Sequence, residues 1–409
     1  MLDNEKKSPF QPEMPVSPEK FEGREEIIEK NLPFIYQSLQ GHPTHFFIKG
    51  KRGMGKTSLA DYFKNMAEIK YKMLTVHVFN DGVHNMDSLI QQIVERLLNE
   101  INRETWAEKI LKTFKKHVKS VEFFSTKIEF HPDDETMKFL KDNFPFFLEE
   151  IIDKINHEKE GLFIIIDDIN GLSETPEFAN WYKSFADTIS TGIIELPLVM
   201  LLTTYPENAQ KLYNFNPSFN RLFKHIEVKG LRYFEVEDFF NKIFRHMGMN
   251  VEKEAMDLMV RFSSGLPNMM QEIGDGVFWS NNDNTISKDD ALKGIIRSGE
   301  EIGVKYLQTA LDKSIRSENY LNIFRALGND FKEHDLTVEY TFRKKDFANK
   351  LTDKENKAFS KFLSRAKELK IIEYAEGYKS GVYTFTNNLY PIYFLIQYLE
   401  YENNLNKVN

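Results

Sequence analysis

Gly50-Lys51-Arg52-Gly53-Met54-Gly55-Lys56-Thr57 is the stretch from which the rest of the chain can be read. It fits G-x-x-x-x-G-K-[ST], in which the glycines let the backbone curl until several N–H groups point at one phosphate chain. His45-Phe46-Phe47-Ile48, just before it, is short, apolar and aromatic, as a buried strand should be. Ser58-Leu59-Ala60-Asp61-Tyr62-Phe63, just after it, opens a helical pattern. Strand, glycine loop and helix is the context this motif needs, because the helix N-terminus adds partial positive charge where the phosphates lie. The contact set expected for a bound nucleotide is Gly50, Lys51, Arg52, Gly53, Met54, Gly55, Lys56, Thr57 and Ser58. Lys56 would reach the β- and γ-phosphates and Thr57 would hold Mg²⁺ through its hydroxyl.

A second anchor lies about a hundred residues on. Gly161-Leu162-Phe163-Ile164-Ile165-Ile166-Asp167-Asp168 is an apolar strand that ends in two carboxylates. Asp167 suits the role of orienting the Mg²⁺ shell, and Asp168 stands where a carboxylate polarises the attacking water. Leu198-Val199-Met200-Leu201-Leu202-Thr203-Thr204 is a further buried strand with a hydroxyl end. Thr203 would lie beside the tip of the Asp167 strand, where it can position the water or sense the γ-phosphate. Capping of the next turn is the other use such threonines have. Alternating strands and helices of this kind predict an α/β fold built on a parallel sheet.

The 409 residues are too many for one core, and 41% hydrophobic content is enough to fold throughout. Without cysteine there can be no disulfide and no thiolate metal site. No run approaches the ~18 apolar residues of a membrane span, and the polar, proline-bearing start has no signal-peptide core. The expected address is the cytoplasm, with no membrane partner. The net charge of −8 means that any nucleic-acid contact must come from a local patch.

Domain boundaries follow from the shifts in pattern. Residues 1–20, with Pro9, Pro12, Pro15 and Pro18, read as an extended arm. Residues 21–230 read as the nucleotide domain, with an insertion at about 102–135 that holds a basic run (Lys109, Lys112, Lys115, Lys116) and a hairpin signal at Val121–Phe130. One amphipathic helix is expected from Phe139 to Ile155. Residues 231–310 read as wholly helical, broken at Gly265-Leu266-Pro267, and form an all-α lid. Residues 311–409 carry three helical stretches and then a hairpin, Ile371–Tyr374 and Val382–Phe385, which are the parts of a winged helix.

Taken together these motifs resemble the AAA+ and STAND-type P-loop ATPases, especially the archaeal and bacterial ATPases related to origin-recognition initiators. The resemblance implies ATP with Mg²⁺ as the ligands. Phe21-Glu22-Gly23-Arg24-Glu25 resembles the box that helps to enclose the adenine, which assigns Gly23 and Arg24 to the nucleotide. Phe219-Asn220-Arg221-Leu222-Phe223 resembles the segment carrying the arginine finger, so Arg221 would act from one subunit on its neighbour in a homo-oligomer. Gly265-Leu266-Pro267 resembles the G-x-P motif of the lid and adds Pro267 to the contact set. Two departures matter. Asp168 replaces the usual glutamate, and its shorter arm implies slow turnover. Asn268-Met269-Met270 follow the lid proline where a sensor arginine is often found, and the Asp167-Asp168 pair, the Thr203-Thr204 strand end and the G-x-P motif lean toward a STAND-like switch.

The C-terminal domain bears on the partner. Between Lys354 and Lys370, six basic residues (Lys354, Lys357, Lys361, Arg365, Lys367, Lys370) stand against two acidic ones, Glu355 and Glu368. Lys357, Lys361 and Arg365 share one helical face, and Phe359, Phe362, Leu363, Ala366 and Leu369 supply the inward side. Such a face can lie in the major groove of duplex DNA, with Lys379 at the hairpin tip on a phosphate. The expected function is an ATP-hydrolysing switch acting on DNA. The alternative is a signalling or scaffold ATPase whose winged helix binds a partner protein.

Overall fold

In the computed structural model, residues 7–12, 21–103, 121–123, 128–190, 196–308, 317–332 and 340–408 are described. The basic run at Lys109–Lys116 and most of the proposed arm at 1–20 lie outside them. The chain divides into two units, Pro15–Lys229 and a second made of Met1–Met14 with Gly230–Asn409.

The first unit is built on five parallel strands. They are β1 (Thr44–Lys49), β2 (Leu74–Phe79), β5 (Leu162–Asp167), β6 (Leu198–Thr204) and β7 (Lys224–Glu227), in the order β2-β5-β6-β1-β7. Both faces are covered, so the central strands read as unbroken apolar runs. Side chains alternate across the sheet. Phe46, Ile48, Phe163 and Ile165 join one core, under the helices Glu25–Ser38 and Lys56–Tyr71. Phe47, Leu162, Ile164 and Ile166 join the other, with the helices Met86–Asn102 and Glu177–Ser190. Each fully buried Phe or Ile contributes roughly 1.5–3 kcal/mol against the entropy of ordering the chain. β3 (Val121–Phe123) and β4 (Ile128–Phe130) pair antiparallel in the stretch expected to be an insertion.

The helix expected from Phe139 to Ile155 is two helices, Asp134–Asp142 and Phe144–Ile155. Pro145 is the reason. It has no N–H for an interior helix bond, but in the first turn of a new helix that N–H is not needed. Asn143 closes the first helix by donating its side-chain amide to the Phe139 carbonyl at 2.9 Å.

In the second unit the lid helices are Tyr233–His246, Lys253–Ser263, Pro267–Ser280 and Lys288–Ile302. The region is not wholly helical: β8 (Asn250–Val251) and β9 (Thr285–Ile286) form a short parallel pair. Ser264 and Gly265 both have positive φ at the break. A Cβ on Gly265 would sit 2.3 Å from the Leu231 carbonyl oxygen, so only glycine fits there. Phe10 is buried in this unit against Phe239, Phe240 and Phe244, and the Gln11 N–H donates to Gln271 Oε1 at 2.8 Å.

The same unit ends in a winged helix: helix Glu318–Lys332, β10 (Thr341–Arg343), helices Lys344–Ala348 and Asp353–Glu368, then β11 (Ile372–Tyr374) and β12 (Val382–Phe385). Its sheet has three antiparallel strands, β10-β12-β11, one more than the sequence pattern signals. A final helix, Tyr390–Val408, follows, and among the described residues no helix is long and apolar enough to cross a membrane.

Candidate functional site

The carboxyl ends of β1, β5 and β6 lie side by side, and β6 stands between the other two. The glycine loop leaves β1 and turns into the helix Lys56–Tyr71. Gly53 and Gly55 take positive φ, 79° and 75°, which turns successive N–H groups into the concavity. Gly50 is packed so closely that a Cβ would lie 2.8 Å from the Val228 carbonyl oxygen. Thr57, at the start of the helix, donates from Oγ1 to Asp167 Oδ2 at 2.7 Å. Two residues 110 positions apart in the chain thus meet as hydroxyl and carboxylate.

Asp167 is buried and has further partners. The Thr203 hydroxyl on β6 donates to Oδ1, and the same hydroxyl accepts the Asp168 backbone N–H at 2.9 Å. On the other side, His77 Nε2 on β2 stands 3.6 Å from Oδ2. Burial alone would raise the Asp167 carboxyl, but the His77 imidazole beside it and the hydrogen bonds from Thr203 and Thr57 outweigh it and hold the group below its ordinary range.

Asp168 is half-buried and sits in the left-handed region at φ 63°, so its side chain leaves the strand direction. Asn170 fixes it: its side-chain amide donates to Asp168 Oδ1, and its backbone N–H reaches the same oxygen at 3.3 Å. Asn170 Oδ1 in turn accepts from Thr204 Oγ1 at 2.8 Å, the Tyr205 N–H at 3.1 Å and Asn208 Nδ2 at 2.8 Å. Burial, helped by the charges of Asp167 and Asp81, raises the Asp168 carboxyl. A carboxylate so raised is a better proton acceptor at neutral pH.

Lys56 bends back over the loop. Its Nζ donates to the Lys51 carbonyl at 3.3 Å and lies 4.5 Å from the centre of the Tyr205 ring. Burial lowers its pKa, against the pull of Asp167 and Asp168. Lys51 and Arg52 are exposed; Gly53 and Met54 are partly exposed, and Ser58 is buried in the helix. Gly23 and Arg24 both have positive φ, and Arg24 is buried. Its guanidinium donates to the Met54 carbonyl at 2.5 Å and the Lys229 carbonyl at 3.2 Å, which ties the glycine loop to the end of the domain.

Thr57 and Asp167 suit magnesium. Both present hard oxygens, and among the described residues no group of three or more acidic, His or Cys side chains forms a cage that would hold an ion without phosphates. Lys56, Thr57, Asp167, Asp168 and Thr203 therefore come together. Arg221 does not join them by any side-chain bond: it is exposed on the short helix Phe219–Leu222 and makes no ion pair among the described residues. Pro267 begins a helix of the other unit. Lys357 and Lys361 are exposed on Asp353–Glu368, while Arg365 on the same face is ion-paired with Glu368 at 2.6 Å. Glu355 is spent on the cap, where its carboxylate accepts the Thr352 N–H at 2.9 Å. Lys379 is exposed between Gly377 and Gly381, both at φ 81°.

His77, Asp61 and Asn170 are not singled out by the sequence motifs. His77 had one signal, a titratable side chain inside the otherwise apolar strand Leu74–Phe79, and Asp61 had another, a place one helical turn beyond Thr57.

Residues 24–177 match the model of the KAP family P-loop domain. The chain is similar in structure to the Walker-type ATPase PABY2304 of Pyrococcus abyssi, with TM-score 0.51, 16% identity and 92% of this chain and 97% of that one covered. It is also similar to the Aeropyrum pernix ORC2 protein, solved in ADPNP–ADP complexes, with TM-score 0.57, 12% identity and coverage of 96% and 97%. At these identities the likeness is one of fold. No curated protein matches the chain. The glycine loop, the strand order, the Thr57–Asp167 pair and the KAP match converge on one conclusion: the chain carries a P-loop NTPase domain.

Proposed function

We propose that this protein is an ATP-hydrolysing molecular switch that acts on duplex DNA through its winged helix. The observation that carries the hydrolytic half is the meeting of Thr57, Asp167 and Thr203 at the carboxyl edge of the sheet, with Asp168 beside them. The glycine-loop N–H groups and Lys56 hold the β- and γ-phosphates, and Thr57 with Asp167 hold Mg²⁺, which supplies charge neutralisation to the leaving phosphate. Asp168 takes a proton from water as its oxygen bonds to the γ-phosphorus and the bond to the β–γ bridging oxygen breaks. Thr203 holds the Asp167 carboxylate and the Asp168 backbone in register, and Asn170 holds the Asp168 carboxylate. The nucleotides in the A. pernix neighbour support ATP as the substrate.

The DNA half rests on the exposed Lys357 and Lys361 on one helical face and on Lys379 at the wing tip. The alternative reading has the same face bind a partner protein in a signalling or scaffold ATPase, so the two halves need separate tests. Phosphate release from ATP, GTP, CTP and UTP tests the first: the reading stands if ATP is turned over best and fails if no triphosphate is hydrolysed. Fluorescence anisotropy of a labelled duplex in low salt with ATP tests the second, and no binding there moves the reading to a protein partner. The cytoplasmic address is part of the same proposal.

A further inference from the structure

We propose that His77, held by Asp61, is a positioning residue that sets the Asp167 carboxylate for the metal ion; this rests on the nucleotide-hydrolysis reading above. Thr57 and Asp61 are four residues apart on the helix Lys56–Tyr71, so they share one face, and that face looks at β2 and β5. Thr57 Oγ1 reaches Asp167 Oδ2 at 2.7 Å. Asp61 Oδ1 reaches His77 Nδ1 at 2.9 Å. His77 Nε2 then faces Asp167 Oδ2 at 3.6 Å and closes a ring of four side chains. This nitrogen is buried and has no hydrogen-bond partner among the described residues, so Asp167 is the group it serves. The Phe79 ring stacks on the imidazole, with centroids 4.1 Å apart and planes at 26°.

Asp61 explains how the ring is held: its carboxylate takes Nδ1 at 2.9 Å, which fixes the imidazole with Nε2 toward Asp167. Groups behind a metal ligand that fix its orientation are commonly worth tenfold or more in metal affinity. A plain structural tie between helix and strand is the competing role. Thr75 Oγ1 already makes such a tie by donating to Glu68 on the same helix.

The test uses the full chain with mant-ATP, its fluorescence read first in EDTA and then across a Mg²⁺ titration, for the parent, His77→Ala and Asp61→Asn. Both variants are expected to bind mant-ATP in EDTA within about twofold of the parent and to need about tenfold or more Mg²⁺ for half-saturation. Asp61→Asn keeps the side-chain shape and decides the matter if His77→Ala does not fold. Parental Mg²⁺ midpoints in Asp61→Asn, with mant-ATP binding intact, would overturn the proposal and leave the hydrolysis reading standing. A parent that binds no mant-ATP in either condition would overturn both.

Discussion

Thr203 donates its hydroxyl proton to the Asp167 carboxylate and accepts the backbone N–H of Asp168, so one side chain on β6 ties the Asp167 carboxylate to the main chain that carries Asp168. Thr203→Val keeps the volume and the β-branch but removes both bonds. Nucleotide binding is expected to survive, since the glycine loop is untouched, while kcat falls on the order of tenfold to a hundredfold from loss of orientation. Steady-state phosphate release beside mant-ATP binding checks this. Equal losses in both would make Thr203 a fold residue instead.

Lys56 and Asp168 should separate binding from chemistry. Lys56→Ala removes the charge that faces the β- and γ-phosphates and is expected to lower kcat/KM on the order of a hundredfold or more. Asp168→Asn keeps the hydrogen bonding to Asn170 but cannot accept a proton, so binding should persist while turnover stops. Parental ATP turnover in Lys56→Ala would refute the central assignment.

Arg221 is exposed and free of ion pairs among the described residues, which suits a side chain that works on a neighbouring subunit. Arg221→Ala is expected to lose on the order of a thousandfold in turnover, the scale of an arginine finger. Mixing Arg221→Ala with Lys56→Ala subunits should restore part of the activity, because some shared sites then hold both residues. Monomers at every ATP concentration, with no restoration, would rule the arrangement out.

Lys357→Glu with Lys361→Glu should abolish duplex binding and leave ATP turnover unchanged, since both side chains project from a helix of the second unit. In the parent, log K should fall with log salt at about −0.9 per phosphate neutralised. Arg365 should matter less, because Glu368 already pairs with it.

His45 gives a pH test of the fold. It is buried on β1 with Nδ1 2.8 Å from the Tyr182 hydroxyl, and burial pushes its pKa from 6.5 down to about 4. A folded pKa below the unfolded one means that the unfolded chain binds the proton first. This stability is therefore fully present above pH 6.5 and is lost as pH falls from 6.5 toward 4. It amounts to about 3 kcal/mol at most. Urea melts across that range should show a shallower pH dependence in His45→Phe than in the parent.

The P-loop was legible in the sequence because its chemistry is local: glycines, lysine and threonine act within eight consecutive residues. The Asp167 strand was legible for a related reason, since a strand buried on both faces needs an unbroken apolar run and the carboxylates mark where it meets solvent. The winged helix was partly legible. Its amphipathic helix and hairpin have periodicity, but β10 has only three residues, Thr341–Arg343, too few to show any.

The sequence by itself determined the nucleotide fold, its phosphate loop and the order of its parts. Tertiary structure alone decided who holds Asp167: Thr57, Thr203 and His77 come from one helix and two strands, and Thr57 lies 110 residues away in the chain. It alone set the Arg24 guanidinium on the Met54 and Lys229 carbonyls, and lodged Phe10 of a proline-bearing segment among Phe239, Phe240 and Phe244. The physical reason is the same in each case. Periodicity and motif spacing report the local backbone, whereas a side chain's partner is set by which strands become neighbours in the sheet and which helix face covers them.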